Sequence, residues 1–289
     1  MIYIIHILLI TQGICFSQQT DSLKTDEPLV ISISNNSRPF TFINAEGKPA
    51  GLFVDIWKLW SQKTGQNIEF LPSTFNETLK NIENGSADIH SGLSITDERN
   101  EWMIFSDDFY EKSFYIAYPA KQGTILTIDD FSGHKVGIVE NSSHEEYLRK
   151  NYSDIELAAF KSIEEALLSA VDGNIRAVID SYLSIYSDIT RLGLSGKFDF
   201  SNQVVYTKKV RPGVLKKNVE LLTIIDNGFQ TISDKELVEI EERWIPDPEK
   251  QYYRNGGRLH LSSSEKEWIE RHNVVRFGVG MNLPPLQFV

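Results

Sequence analysis

The chain has one cysteine, Cys15. A lone thiol closes no internal disulfide and builds no cysteine metal site. The histidines, His6, His90, His134, His144, His260 and His272, are scattered without an HxxxH spacing, so no metal is expected. No Ser/His/Asp arrangement, glycine-rich phosphate loop or pair of catalytic carboxylates stands out. That leaves no cofactor and no catalytic residue to assign. Positive charge is scarce: 29 Lys and Arg stand against 40 Asp and Glu, a net charge of -11. That balance argues against nucleic acid and anionic membrane surfaces as partners. Long apolar runs are missing except at the start, where Met1 to Phe16 is apolar before Ser17-Gln18-Gln19. The run is too short to span a bilayer and reads as a signal peptide over 1–17, with Cys15 and Ser17 as the small residues before the cut. It lacks the usual basic start, since no Lys or Arg precedes Lys24. The expected location is therefore periplasmic or otherwise extracytoplasmic.

What remains is a chain of ordinary globular composition, 41% hydrophobic and 24% charged, that alternates strands and helices. Leu29 to Ser34 alternates apolar and polar. Leu52, Ile56 and Leu59 fall on one helical face, with Gly65 as a stop. Strands are expected at 68–72 and 87–89, with a helix at 78–84 between them. A second unit follows, with strands at 135–139 and 177–180 and helices at 145–150 and 162–172. Helices return at 218–232 and 237–244. This order predicts parallel sheet in two layered α/β units, 28–118 and 122–202. Because the chain returns to the first unit, two segments must cross between them, and Ser113–Pro119 and Gln203–Lys208 are the candidates. Two lobes on two crossing strands make a hinge with a ligand cleft between them. The region 247–273, with prolines, Gly256-Gly257 and serines, reads as a linker ending in a short helix.

The chain also begins the same pattern twice. Leu29-Val30-Ile31-Ser32-Ile33 leads to Pro39-Phe40-Thr41-Phe42, and Val275-Arg276-Phe277-Gly278-Val279 leads to Pro285-Leu286-Gln287-Phe288 without a gap in register. Residues 274–289 are thus expected to be the truncated start of a second module.

The segment Gly92-Leu93-Ser94-Ile95-Thr96-Asp97-Glu98-Arg99 is a strand running into a loop, where open α/β sheets bind ligands. Thr96 can cap a helix starting at Asp97, placing Arg99 in its first turn. Arginine grips a carboxylate through two parallel hydrogen bonds. This string, with Phe105-Ser106-Asp107-Asp108-Phe109-Tyr110, Gly47-Lys48-Pro49-Ala50-Gly51-Leu52 and Asn84-Gly85-Ser86-Ala87-Asp88-Ile89, resembles the family 3 extracellular solute-binding proteins of polar-amino-acid type. The resemblance covers about 28–246. It implies an α/β, two-lobed, periplasmic-binding-protein-like (type II) flytrap, with lobe 1 at 28–118 and 208–246 and lobe 2 at 122–202. It also implies site roles. Arg99 would pair with a ligand carboxylate and Ser94 would assist it. Gly92 would turn a carbonyl toward the ligand amine, and Asp180 would hold an ammonium. Phe40 and Phe75 would pack on the ligand, and Ser142 and Ser143 would offer backbone N–H groups. The family often has Gly-Thr where this chain has Asn141-Ser142-Ser143-His144, and His144 is a further candidate for the cleft. The ligand implied is an amino acid or small carboxylate.

Three roles fit such a module. One is a sensor, its partners a second flytrap and a membrane-anchored output domain, as in hybrid histidine kinases or diguanylate cyclases; the stretch 261–272 resembles their inter-module linkers. Another is a free binding protein of an amino-acid importer. The third is an enzyme on the same fold, a cyclohexadienyl dehydratase or the front of a lytic transglycosylase.

Overall fold

A computed structural model describes residues 27–120, 127–257, 271–272, 282–283 and 287–288. The signal peptide, most of the linker helix and the second strand at 275–279 lie outside the described residues. Strand β1 (Leu29–Ser34) alternates as expected and buries Ile31 and Ile33. Strands β2 (Asn36–Ser37), β3 (Thr41–Ile43) and β4 (Pro49–Ala50) form a small antiparallel sheet. Helix α1 (Leu52–Thr64) starts at Gly51, whose φ is 125°. A Cβ there would clash with the carbonyl oxygen of Phe40, so only glycine lets the helix begin this close. Gly65 ends it in the left-handed conformation, φ 70°. Strand β5 (Ile68–Ser73) pairs parallel to β1. Helix α2 (Phe75–Glu83) opens on a capping box between Thr74 and Glu77, three residues before the expected start. Strand β6 (Ile89–Leu93) joins the other side of β1, also parallel.

Helix α3 (Asp97–Trp102) and strand β7 (Met103–Phe105) lead into the long strand β8 (Tyr110–Pro119), which carries the chain into the second lobe. There β9 (Lys135–Val139), α4 (Ser143–Asn151), β10 (Glu156–Phe160), α5 (Ile163–Val171), β11 (Ala177–Ser181), α6 (Tyr182–Arg191) and β12 (Phe198–Phe200) alternate. Strand β13 (Tyr206–Leu215) returns, followed by α7 (Val219–Gln230) and α8 (Asp234–Trp244) on the first lobe. The strands join in the order β10-β9-β11-β8-β13-β6-β1-β5. β8 and β13 lie side by side, antiparallel, from Tyr110↔Val210 to Phe114↔Tyr206, and both pass between lobes. They overlap the segments expected to cross, Ser113–Pro119 and Gln203–Lys208, with β13 running on to Leu215. The expectation of parallel sheet holds for the strands away from the crossing pair (β1 with β5 and β6, β9 with β10 and β11), while β6, β7, β11 and β12 pair antiparallel with the crossing strands. The whole sheet is mixed, because a returning strand at a hinge must run antiparallel to the outgoing one.

Each lobe has its own core. Trp57, Trp60, Phe109 and Phe229 anchor the first, with Trp57 Nε1 donating to Ser91 O (2.8 Å) and Trp60 Nε1 to Ile225 O (3.1 Å). In the second lobe Val136 and Ile138 belong to one cluster, and Ala166 and Val178 to another. The start of the expected linker departs from its billing. Gln251 and Tyr253 are buried, and Tyr253 Oη donates to Phe109 O (2.5 Å). The buried Glu241 carboxylate accepts from Tyr110 Oη (3.0 Å) and from the backbone N–H groups of Tyr252 and Tyr253 (both 2.8 Å). Residues 251–253 are thus part of the first lobe's core, held by a carboxylate that composition alone marks only as surface charge.

Near the end, β14 (Asn282–Leu283) and β15 (Gln287–Phe288) pair as Asn282↔Phe288 and Leu283↔Gln287. β2 and β3 pair as Asn36↔Phe42 and Ser37↔Thr41. Each residue of the later hairpin lies the same number of positions after its counterpart, so the repeat seen in the sequence is also a repeat of register.

Candidate ligand-binding cleft

β6 ends at Leu93 and α3 begins three residues after Ser94, so a tight corner opens onto the space between the lobes. Thr96 Oγ1 accepts from Arg99 N (3.2 Å), the expected cap. Arg99 therefore sits in the first turn and its side chain folds back. One terminal nitrogen donates to Ser94 O (2.8 Å) and the other to Asn141 O on the second lobe (2.8 Å). Arg99 is only 4% exposed, and burial lowers its pKa to about 10. Its carbon lies 5.6 Å from the centre of the Phe75 ring. Asn141 can turn its carbonyl inward because it adopts the left-handed region, φ 55°, which asparagine tolerates. Asn76 also bridges the lobes, bonding Glu140 Oε1 (2.6 Å) and Asn141 Nδ2 (2.9 Å). The lobes thus touch directly across the cleft.

The cleft encloses a cavity of about 320 Å³. Gly92, Ser94, Arg99, Phe75, Ser142, Ser143 and Asp180 all line it, so seven of the eight expected residues come together. Ser142 caps α4, its Oγ accepting from Glu145 N (3.4 Å), and Ser143 is the first helical residue. The start of α4 therefore faces the cavity, where helix N–H groups favour negative charge. A Cβ on Gly92 would lie 3.0 Å from Val210 and 3.1 Å from Phe109, so a side chain there would crowd both.

Phe40 is the exception. It is buried in the first lobe's core, 4.9 Å from Phe53 and 5.6 Å from Tyr110 between ring centres. It lines a neighbouring cavity of about 230 Å³, which shares Lys112 with the cleft. Its backbone is clamped by Ser37 O and Phe53 N (both 2.9 Å), which turns the ring inward. The expectation that Phe40 packs on the ligand is corrected: Phe75 lines the cleft, and Phe40 supports a residue that the sequence reading passed over.

That residue is Lys112 on β8. Its Nζ lies 3.7 Å from the centre of the Phe40 ring and 5.4 Å from that of Phe53, and it lines the cleft. Burial lowers its pKa to about 8, against the opposing pull of Asp180. Strand alternation could have found it, since Tyr110, Lys112 and Phe114 share a face and both aromatics are buried.

Asp180 closes β11. Its Oδ2 lies 3.1 Å from His144 Nε2, and its Oδ1 accepts from Ser181 N (2.6 Å). Burial alone would raise its pKa, but His144, Lys112 and the Ser181 N–H hold it below the usual carboxylate value. The cap of the following helix is Ser181 rather than Asp180, because Ser181 Oγ accepts from Ser184 N. His144 stacks at a tilt on Phe114 (4.8 Å), and its buried Nδ1 has no partner among the described residues. Under the cleft, His90 Nδ1 accepts from Gly92 N (3.2 Å), which leaves Nε2–H to donate to Thr78 Oγ1 (3.0 Å). Burial, then the nearby Arg99 and Lys112, push its pKa down to about 3, so it is neutral.

Two lobes on a pair of crossing strands, with a buried arginine and a buried aspartate both lining the cleft, define a solute-binding flytrap. The chain belongs to the bacterial extracellular solute-binding proteins, family 3, matched over residues 29–247. It is similar to the virulence sensor protein BvgS of Bordetella pertussis, at 23% identity over 83% of this chain and 20% of that protein. It thus spans about a fifth of that relative's length. It is also similar to the ABC transporter arginine-binding protein 1 of Escherichia coli K12, at 23% identity over 76% of this chain and 91% of that protein. Among solved structures, a histidine kinase sensor domain with similarity to periplasmic binding proteins superposes with a TM-score of 0.70 at 19% identity, covering 75% of this chain and 96% of that one. Among the described residues no helix is long and apolar enough to cross a membrane.

Proposed function

We propose that this chain is the extracytoplasmic sensing part of a larger receptor. Its cleft closes on a small amino-acid-like or carboxylate solute, and closure biases a downstream, membrane-anchored output domain. The observation that carries the reading is the second hairpin, β14–β15, which repeats the register of β2–β3 within one chain. A receptor strings such modules together, whereas a free carrier works with one. The similarity to a virulence sensor supports the same reading. The carrier alternative, a periplasmic binding protein of an amino-acid importer, has support from the arginine-binding relative, which the chain matches over nearly its whole length.

Within this reading Arg99 receives the ligand carboxylate. It is buried, and its partners are neutral carbonyls that orient it without cancelling its charge. The binding claim is tested by thermal shift with amino acids and small carboxylates. A ligand at 100 times its Kd should add about 2.7 kcal/mol, and Arg99→Ala should abolish the shift. Unchanged binding by Arg99→Ala would remove the assignment. The sensor claim is tested on the full reading frame, where a membrane span followed by a signalling domain is expected. A frame that ends without a span would move the chain to the carriers.

A further inference from the structure

The charges of the cleft select among its possible solutes. On the first lobe's side the lining residues include two cations, Arg99 and Lys112, and no carboxylate. Arg99 spends two donors on backbone carbonyls, and a guanidinium has five. Lys112 rests against two aromatic faces, and among the described residues no hydrogen bond or ion pair to its ammonium is found. Both cations act on the ring of His90, so they lie near one another, and His90 between them is neutral. On the second lobe's side, two carboxylates line the cavity. Glu165 is exposed at the edge and accepts from Lys161 N (3.1 Å). Asp180 is already held by His144 and Ser181. A ligand ammonium would therefore have to share Asp180 with His144, the Ser181 N–H and the field of Lys112. A second ligand anion would meet Lys112 and the start of α4. A buried arginine and a half-buried lysine that line one cavity, neither ion-paired to a carboxylate among the described residues, are characteristic of a site that receives negative charge.

We propose that the cleft takes a small dianionic solute of the dicarboxylate class, with Arg99 holding one carboxylate and Lys112 the other. This rests on the solute-binding reading above and goes further, since it disfavours basic amino acids. The 320 Å³ cavity is at the small end of ligand pockets, which suits an acid of four to six carbons by order of magnitude (roughly).

The test is isothermal titration of the purified chain with glutarate, its monoamide glutaramate, L-glutamine and L-arginine. Glutarate should bind at least about tenfold tighter than glutaramate, since one ion pair is worth about that factor or more. Lys112→Met should remove that preference by weakening glutarate and leaving glutaramate within about twofold, while Lys112→Arg should retain it. Tighter binding of L-glutamine or L-arginine, or equal loss of both acids in Lys112→Met, overturns the dicarboxylate assignment and leaves solute binding intact. No binding by any of the four also overturns the dicarboxylate assignment, and the wider thermal-shift panel then decides on solute binding. If Lys112→Met does not fold, the ratio of glutarate to glutaramate in the unaltered chain decides.

Discussion

Lys112→Met should stabilise the unliganded protein, because the ammonium is held where its charge is poorly solvated. Burial lowers the pKa of Lys112 from the ordinary lysine value near 10.5 to about 8. At 1.36 kcal/mol per pKa unit, that corresponds to about 3 kcal/mol of destabilisation at neutral pH. Methionine fills a similar volume but loses the contact of the charge with the Phe40 ring, worth about 1 kcal/mol. The expected net gain is about 2 kcal/mol, or about 4–8 °C in Tm for a folded unit of this size. The pH dependence has a definite sign. Between about 8 and 10.5 the unfolded chain holds a proton on Lys112 that the folded chain has released, so stability rises with pH across that window. The cost is full below about pH 8 and absent above 10.5. Urea unfolding of the wild type and Lys112→Met at pH 7 and pH 10 would measure it, and the difference between the two proteins should shrink at the higher pH. A variant less stable than wild type at pH 7, or a difference that ignores pH, would refute the claim that Lys112 is a half-buried, under-compensated charge. A stability gain joined to a loss of binding is the expected signature of a site residue.

Two further predictions concern the frame around the cleft. Gly228 of α7 faces α1 so closely that a Cβ would clash with the indole of Trp60; Gly228→Ala should cost about 3 kcal/mol by forcing the helices apart, read as a lower urea midpoint, and an unchanged midpoint would show that the contact can relax. Glu241→Gln keeps the shape but turns an N–H toward the N–H of Tyr252 or Tyr253; it should cost about 2 kcal/mol and speed amide exchange at 252–253, whereas unaltered protection there would mean that the segment is held by its ring contacts instead.

Much of the frame was legible because its signals are local. The alternation of Leu29–Ser34 and the stop at Gly65 act through neighbours within one turn or one strand. Arg99 was legible for the same reason, since Thr96 and Asp97 set the helix start that aims it. Phe40 misled because a phenylalanine beside a proline says nothing about which way its ring turns. That direction follows from Gly51 and α1, more than ten residues on. Residues 251–253 misled because proline and glycine mark irregular backbone, and irregular backbone can still be buried when a distant carboxylate satisfies its N–H groups.

The sequence by itself determined the family, the two α/β units, the crossing segments and the arginine of the cleft, since these rest on short-range pattern and capping chemistry. Only the tertiary structure decided what the cleft's charges amount to. The pairing of Asp180 with His144 joins residues from β11 and α4, the bond from Arg99 to Asn141 joins the two lobes, and Lys112 gains its perturbed charge from aromatic walls far away in sequence. Electrostatics depends on distance and solvent exclusion, and neither is written in residue spacing.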